Sequence, residues 1–101
     1  MPKSNISVSH SLPQAEALRR IKNLLPAVKA QYAKDISDLK EEWTGNEASF
    51  TLKAKGFPVR GTLTVTASEA RAFLDLPFAA NFFKGKIERA VREEAEKALK
   101  S

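Results

Sequence analysis

His10 is the single histidine of this chain and cysteine is absent. Acid–base chemistry would therefore rest on one imidazole, and no thiolate is available as nucleophile or metal ligand. His10 falls between the end of a strand-like segment and a helix start, where a turn residue or a surface hydrogen bond is the commoner role. No second histidine exists to share a metal with it, and the acids lack the spacing of a metal loop. Glu41-Glu42 could suggest a carboxylate pair, but neighbours on a strand point to opposite faces and cannot share a substrate. Ser4, Ser7, Ser9 and Ser11 have no base beside them in the sequence, and serines around a strand usually mark solvent exposure or capping. Gly56, Gly61 and Gly85 are too scattered to form a phosphate-cradling loop. The expectation is a protein that binds and does not catalyse, with no metal and no cofactor.

Two clusters offer binding chemistry instead. Lys53, Lys55 and Arg60 stand among threonines on what the alternation makes an outward sheet face, a basic platform that could meet nucleic acid or another anionic partner. An ordinary wet sheet face with lysines against edge pairing is the competing reading, and a single-strand binder normally adds aromatics that stack on bases. Only Phe73 would stand on that face. The second cluster is the apolar junction Phe78, Phe82 and Phe83 beside Lys84 and Lys86, which joins greasy anchors to cations as a surface-seeking segment does. Its bland alternative is that these phenylalanines close the end of the core.

The elements that must position these residues follow from periodicity. Ile6 and Val8 alternate with polar residues over Ser4 to Ser9, predicting a short half-buried strand. Ser11-Leu12-Pro13-Gln14 reads as a capping box with proline in the first turn. Leu18, Ile21, Leu25, Val28 and Tyr32 then mark one helix face to about Lys34. Pro26 predicts a kink or division near Leu24, read here as a bend and not a stop. Beyond Ile36 the period becomes two. Four strands are expected over Asp38 to Trp43, Glu47 to Lys55, Val59 to Thr66 and Ala70 to Leu76, with turns at Thr44-Gly45-Asn46, Gly56-Phe57-Pro58 and Ala67-Ser68-Glu69. Connections this short force antiparallel neighbours. Lys84 to Lys100 is rich in helix formers, with Phe83, Ile87, Ala90, Val91 and Ala98 near one face. The fold class is α+β: an antiparallel meander of about five strands in the order strand, helix, four strands, helix, both helices covering the apolar face.

The chain has 101 residues, the size of one domain, read here as 1–101. It is long enough for a core that needs no disulfide or metal. Seventeen Lys and Arg against twelve Asp and Glu give a net charge of +5, but the charges are scattered and mixed with acids, as on solvated helix faces. The absence of cysteine suits a reducing compartment. The opening residues Met1 to Val8 lack the apolar stretch of a signal peptide, and no window approaches a membrane span. Cytoplasmic residence is the expectation.

Three segments carry a family resemblance: His10-Ser11-Leu12-Pro13, Gly61-Thr62-Leu63-Thr64-Val65, and Phe83-Lys84-Gly85-Lys86-Ile87-Glu88. With them the chain resembles, over nearly its full length, the small bacterial family of polyhydroxyalkanoic acid system proteins. The resemblance implies association with the storage of polyhydroxyalkanoate, a polyester deposited as cytoplasmic granules. Its partners would be the granule surface or granule proteins, and it implies no catalytic residue. A further likeness is to reduced helix-grip folds, in which a C-terminal helix crosses a curved antiparallel sheet. In such a fold the small inward residues Ala48, Ala54, Gly61, Ala70 and Ala72 could admit a helix closely or leave room for an acyl ligand.

Overall fold

The period-two segments form five strands: β1 (Lys3–Ser9), β2 (Ile36–Thr44), β3 (Glu47–Ala54), β4 (Phe57–Val65) and β5 (Glu69–Asp75). They make one antiparallel sheet in the order β1-β5-β4-β3-β2 in the computed structural model, which describes residues 3–100. Met1, Pro2 and Ser101 lie outside the described residues. The expected α+β meander is therefore present, with β1 paired to β5 to complete the sheet. Alternation decides which side is greasy: Ala48, Phe50, Leu52 and Ala54 of β3 are all buried, and the residues between them are exposed.

Backbone conformation explains where strand ends differ from expectation. β3 stops at Ala54, not Lys55, because Lys55 and Gly56 both take positive φ, 52° and 83°. This is the pair of left-handed residues that a two-residue I′ turn requires. Phe57-Pro58, expected in the turn, thus opens β4. β2 begins at Ile36, not Asp38; a bulge between Ser37 and Lys40 absorbs Asp38 at φ 54°. The bulge shifts parity, placing Leu39, Glu41 and Trp43 half-buried on the inner face. A bulge and an inward charge on an edge strand both discourage pairing with other chains.

The N-terminal helical stretch divides into α1 (Gln14–Ile21) and α2 (Leu24–Gln31). The bend expected near Leu24 is instead a division, with the break at Lys22-Asn23. Pro26 then falls in the first turn of α2, where its missing N–H has no intrahelical duty. The capping box does not form: Pro13 occupies the cap position without a side-chain bond, and Gln14 Nε2 donates to the Val65 carbonyl at 2.9 Å, tying α1 to β4. Ala17, fully buried, lets α1 approach the sheet closely. The chain ends in α3 (Lys84–Leu99), which packs on α1, α2 and β1. At its C-terminal end the carbonyls of Ala98 and Lys100 accept from Arg20, itself held by Glu16.

The small inward residues mostly serve packing. Gly61 lies directly opposite Phe50, and a Cβ there would stand 2.6 Å from the Phe50 ring and 2.2 Å from the Phe73 carbonyl oxygen. Phe50 thus fills the space that Gly61 leaves, and Ala48, Ala70 and Ala72 are buried in the same core.

Candidate functional site

Pro77 ends the sheet, and Phe78–Phe83 forms a 3-10 helix leading into α3. A 3-10 helix has three residues per turn, so residues three apart share a ridge. Ala80 and Phe83 form the ridge that faces the core, at 0% and 6% exposure; Phe82 and Phe78 occupy the other two, at 74% and 78%. The predicted aromatic trio is therefore split: Phe83 closes the core, whereas Phe78 and Phe82 stand in solvent. They are the exposed large hydrophobic residues among those described. Phe57 joins them because the I′ turn brings it to the start of β4. Its ring lies 5.7 Å from Phe83 and 6.3 Å from Phe82, and Phe82 meets Phe83 edge-on at 4.8 Å. Sequence reasoning missed Phe57, since lysine at the first position of an I′ turn is not one of the residues that announce it.

The cations beside the aromatics are held in place. Lys84 Nζ lies 3.7 Å from Glu88, one helical turn on. Lys86 and Lys55 converge on Asp35, at 3.5 Å and 3.0 Å. The Lys55 hydrogen bond, reinforced by Lys86, holds the Asp35 carboxyl below its ordinary pKa despite partial desolvation. Asp35 is fixed by its backbone as well: its amide donates to the Tyr32 carbonyl and its carbonyl accepts from Lys55 N–H. Beneath these charges a small cavity of about 30 Å³ opens between α2, α3 and β3.

The basic sheet face is not assembled as expected. Lys55 leaves the sheet at the turn. Lys53 stays on the outer face but lies 3.5 Å from Asp38. Arg60 stands directly opposite Asp75 across the β4–β5 ladder. Each cation thus has an acid neighbour, and the outer face is electrically mixed. Phe73 occupies that face, with Lys3 Nζ 6.0 Å from its ring.

His10 is a structural pin. Its Nδ1 accepts from the Leu12 amide at 3.1 Å, so Nε2 carries the proton and donates to the Thr66 carbonyl at 3.0 Å; the His10 amide donates to the Ser68 carbonyl. These bonds tie the β1–α1 link to the β4–β5 turn and occupy both ring nitrogens. Glu41 and Glu42 diverge as expected, Glu41 inward and Glu42 outward. Burial raises the Glu41 pKa, and the nearby Trp43 indole pulls the other way without completing a hydrogen bond: Trp43 Nε1 and Glu41 Oε2 are both buried without a partner among the described residues. Ser4, expected at the surface, is buried on the inner face with its hydroxyl unpaired among those residues. No group of three His, Asp or Glu among the described residues could hold a metal, and no helix is long and apolar enough to cross a membrane.

Comparison with known proteins agrees with this architecture. Residues 5–99 match the family model described as "Putative polyhydroxyalkanoic acid system protein". Among solved structures, the crystal structure of TTHA0849 from Thermus thermophilus aligns with a TM-score of 0.59 at 17% identity, covering 98% of this chain and 92% of that one. At that identity the likeness is one of fold. No curated protein matches the sequence.

Proposed function

We propose that this chain, which belongs to the polyhydroxyalkanoic acid system protein family, is a non-enzymatic accessory of polyhydroxyalkanoate storage that attaches to cytoplasmic granules through Phe78 and Phe82. The observation that carries the reading is the exposure of both rings, 78% and 74%, on one short 3-10 helix. Single exposed apolar residues are ordinary on protein surfaces. Phe82 is mounted on a packed aromatic base and Phe78 stands free on another ridge of the same short helix, so this end presents more apolar surface than one isolated ring would. Lys84 and Lys86 follow at the start of α3, oriented by Glu88 and Asp35, and add cations close by in the chain. The occupied nitrogens of His10 favour a binding protein over an enzyme.

Full burial of a phenylalanine stabilises by roughly 1.5–3 kcal/mol. Two such rings must also offset the entropic cost of association, so attachment of one copy is expected to be reversible. The test is partition of purified protein between polyhydroxyalkanoate particles and polystyrene beads of matched size and charge. A clear excess on the polyester, together with rings of tagged protein around granules in accumulating cells, is the expected result. Equal partition and diffuse signal would overturn the proposal.

A further inference from the structure

The cavity beneath Asp35 has a wall and a mouth of different chemistry. Val28, Ile36, Ala54, Phe83, Ile87 and Ala90 make the wall apolar. Asp35, Lys55 and Lys86 stand at the mouth with Tyr32. Ala54 is the one member of the small inward set that lines this space, so room persists there after Phe50 has filled the gap at Gly61. Two ammonium groups share a single carboxylate, leaving the mouth one positive charge in excess. Of the two, Lys86 is the looser: it sits 3.5 Å from Asp35 with a side chain 52% exposed, against 3.0 Å and 40% for Lys55.

We infer that this slot binds a short aliphatic carboxylate, its hydrocarbon tail in the apolar wall and its carboxylate on Lys86, on the side away from Asp35. Size sets the chain length. A space of about 30 Å³ holds roughly two to three water-sized groups, since about 10–15 Å³ is needed for one. Typical drug-sized sites are roughly tenfold larger. The slot therefore takes the last two or three carbons of a chain and no more. Charge sets the head group: a neutral alcohol gains nothing from Lys86, and an ammonium is repelled. The ionised state of Asp35, favoured by both lysines, keeps the mouth at one net positive charge and blocks a second anion. Two sources share this chemistry, a free short-chain acid and the carboxyl-terminal unit of an aliphatic polyester, whose short alkyl branch would enter the slot while the ester-linked chain leaves by the mouth.

Phe78 and Phe82 do not line the slot, so ligand binding and granule attachment separate at Phe78, whereas Lys86 belongs to both readings. The experiment is an amide-resolved NMR titration with acetate, propionate, butyrate and hexanoate, and with butylammonium as the charge-reversed control. Affinity is expected to rise about fourfold for each buried methylene through butyrate and then level off. Shifts should centre on Ile36, Ala54, Ile87 and Ala90. Lys86→Gln, at an exposed position that should fold normally, should weaken butyrate at least fivefold, and Phe78→Ser should leave it unchanged. No saturable shift with butyrate, an equal response to butylammonium, or an affinity indifferent to Lys86→Gln would each overturn the inference. Oligomers of 3-hydroxybutyrate with free or methyl-esterified carboxyl ends separate the two sources. Binding of the free-ended oligomer alone identifies the chain terminus as a ligand; binding of neither restricts the slot to free acids.

Discussion

Replacing Phe78, Phe82 and Phe83 one at a time by serine separates attachment from folding, because the structure gives the three rings different neighbours. Phe78 is 78% exposed and takes no part in the aromatic cluster, so Phe78→Ser should change stability by no more than about 0.5 kcal/mol. Phe82 is 74% exposed but meets Phe57 and Phe83 edge-on. At roughly 0.5–1.5 kcal/mol for each of its two aromatic pairs, Phe82→Ser should cost about 1–3 kcal/mol and lower Tm by about 4–8 °C per kcal/mol. Phe83 is 6% exposed, and its loss should cost about 3–5 kcal/mol of a total near 5–15 kcal/mol. On polyester particles the order changes. A flat surface can cover roughly half or more of an exposed ring, about 1–2 kcal/mol each, so Phe78→Ser and Phe82→Ser should each weaken binding by about 5–30-fold. The assay is particle partition at 25 °C beside thermal unfolding of the same preparations. If Phe78→Ser folds normally and binds within twofold of the parent, the ring is not at the interface and the reasoning fails.

Gly61→Ala should destabilise by about 1–3 kcal/mol, because the new methyl meets both the Phe50 ring and the Phe73 carbonyl; Phe50→Leu in the same chain should restore only part of the loss, and full restoration in thermal unfolding would exclude the backbone contact. Glu41 has a carboxyl raised by burial, so its favourable contribution is present in acid and is lost as pH rises through the folded-state pKa. Glu41→Gln should therefore unfold at higher temperature than the parent at pH 7, with the gap closing by about pH 4; a gap that widens in acid would reverse the sign. Glu16, hydrogen-bonded by Arg19 and Arg20, is pulled down to about 2, so its contribution is held above the unfolded value near 4.5 and lost as pH falls between the two. Acid titration followed by NMR should show the Arg20 contact with the end of α3 loosening in that window in the parent, and already loosened at pH 7 in Glu16→Gln.

Much of the sheet was legible because its causes are local. The strict alternation of Val59 to Val65 states which face is buried whatever the partner strands are. The α1–α2 break was only half legible. Pro26 announces that something must yield, but whether the helix bends or restarts depends on what Leu24 and Leu25 gain by burial, a tertiary quantity. The capping box failed for a related reason, since Gln14 has a better acceptor in Val65, 51 residues away. A positive φ is unusual for a lysine such as Lys55, and Asp38, although of a type that tolerates it, opens a segment that otherwise alternates as a plain strand, so neither position was flagged. That hidden turn then moved Lys55 from the outer face to Asp35 and brought Phe57 under Phe82. One unannounced turn thus took Lys55 out of the basic platform and completed the aromatic end.

The aromatic end bears on function because the fold accounts for only part of it. A 3-10 helix can turn one of its three ridges to the core, and here that ridge is Ala80 and Phe83. Any residue that tolerates the helix would serve at position 78, and a polar one would be better hydrated. Phe82 returns some energy through its edge contacts with Phe57 and Phe83. Phe78 has no such compensation. Sheet packing, helix capping and core closure leave its ring unexplained, and the same 3-10 geometry that buries Phe83 points Phe78 outward. An apolar contact outside the chain would give that ring the burial its own fold does not, so Phe78 is the residue at which folding and attachment can be tested independently.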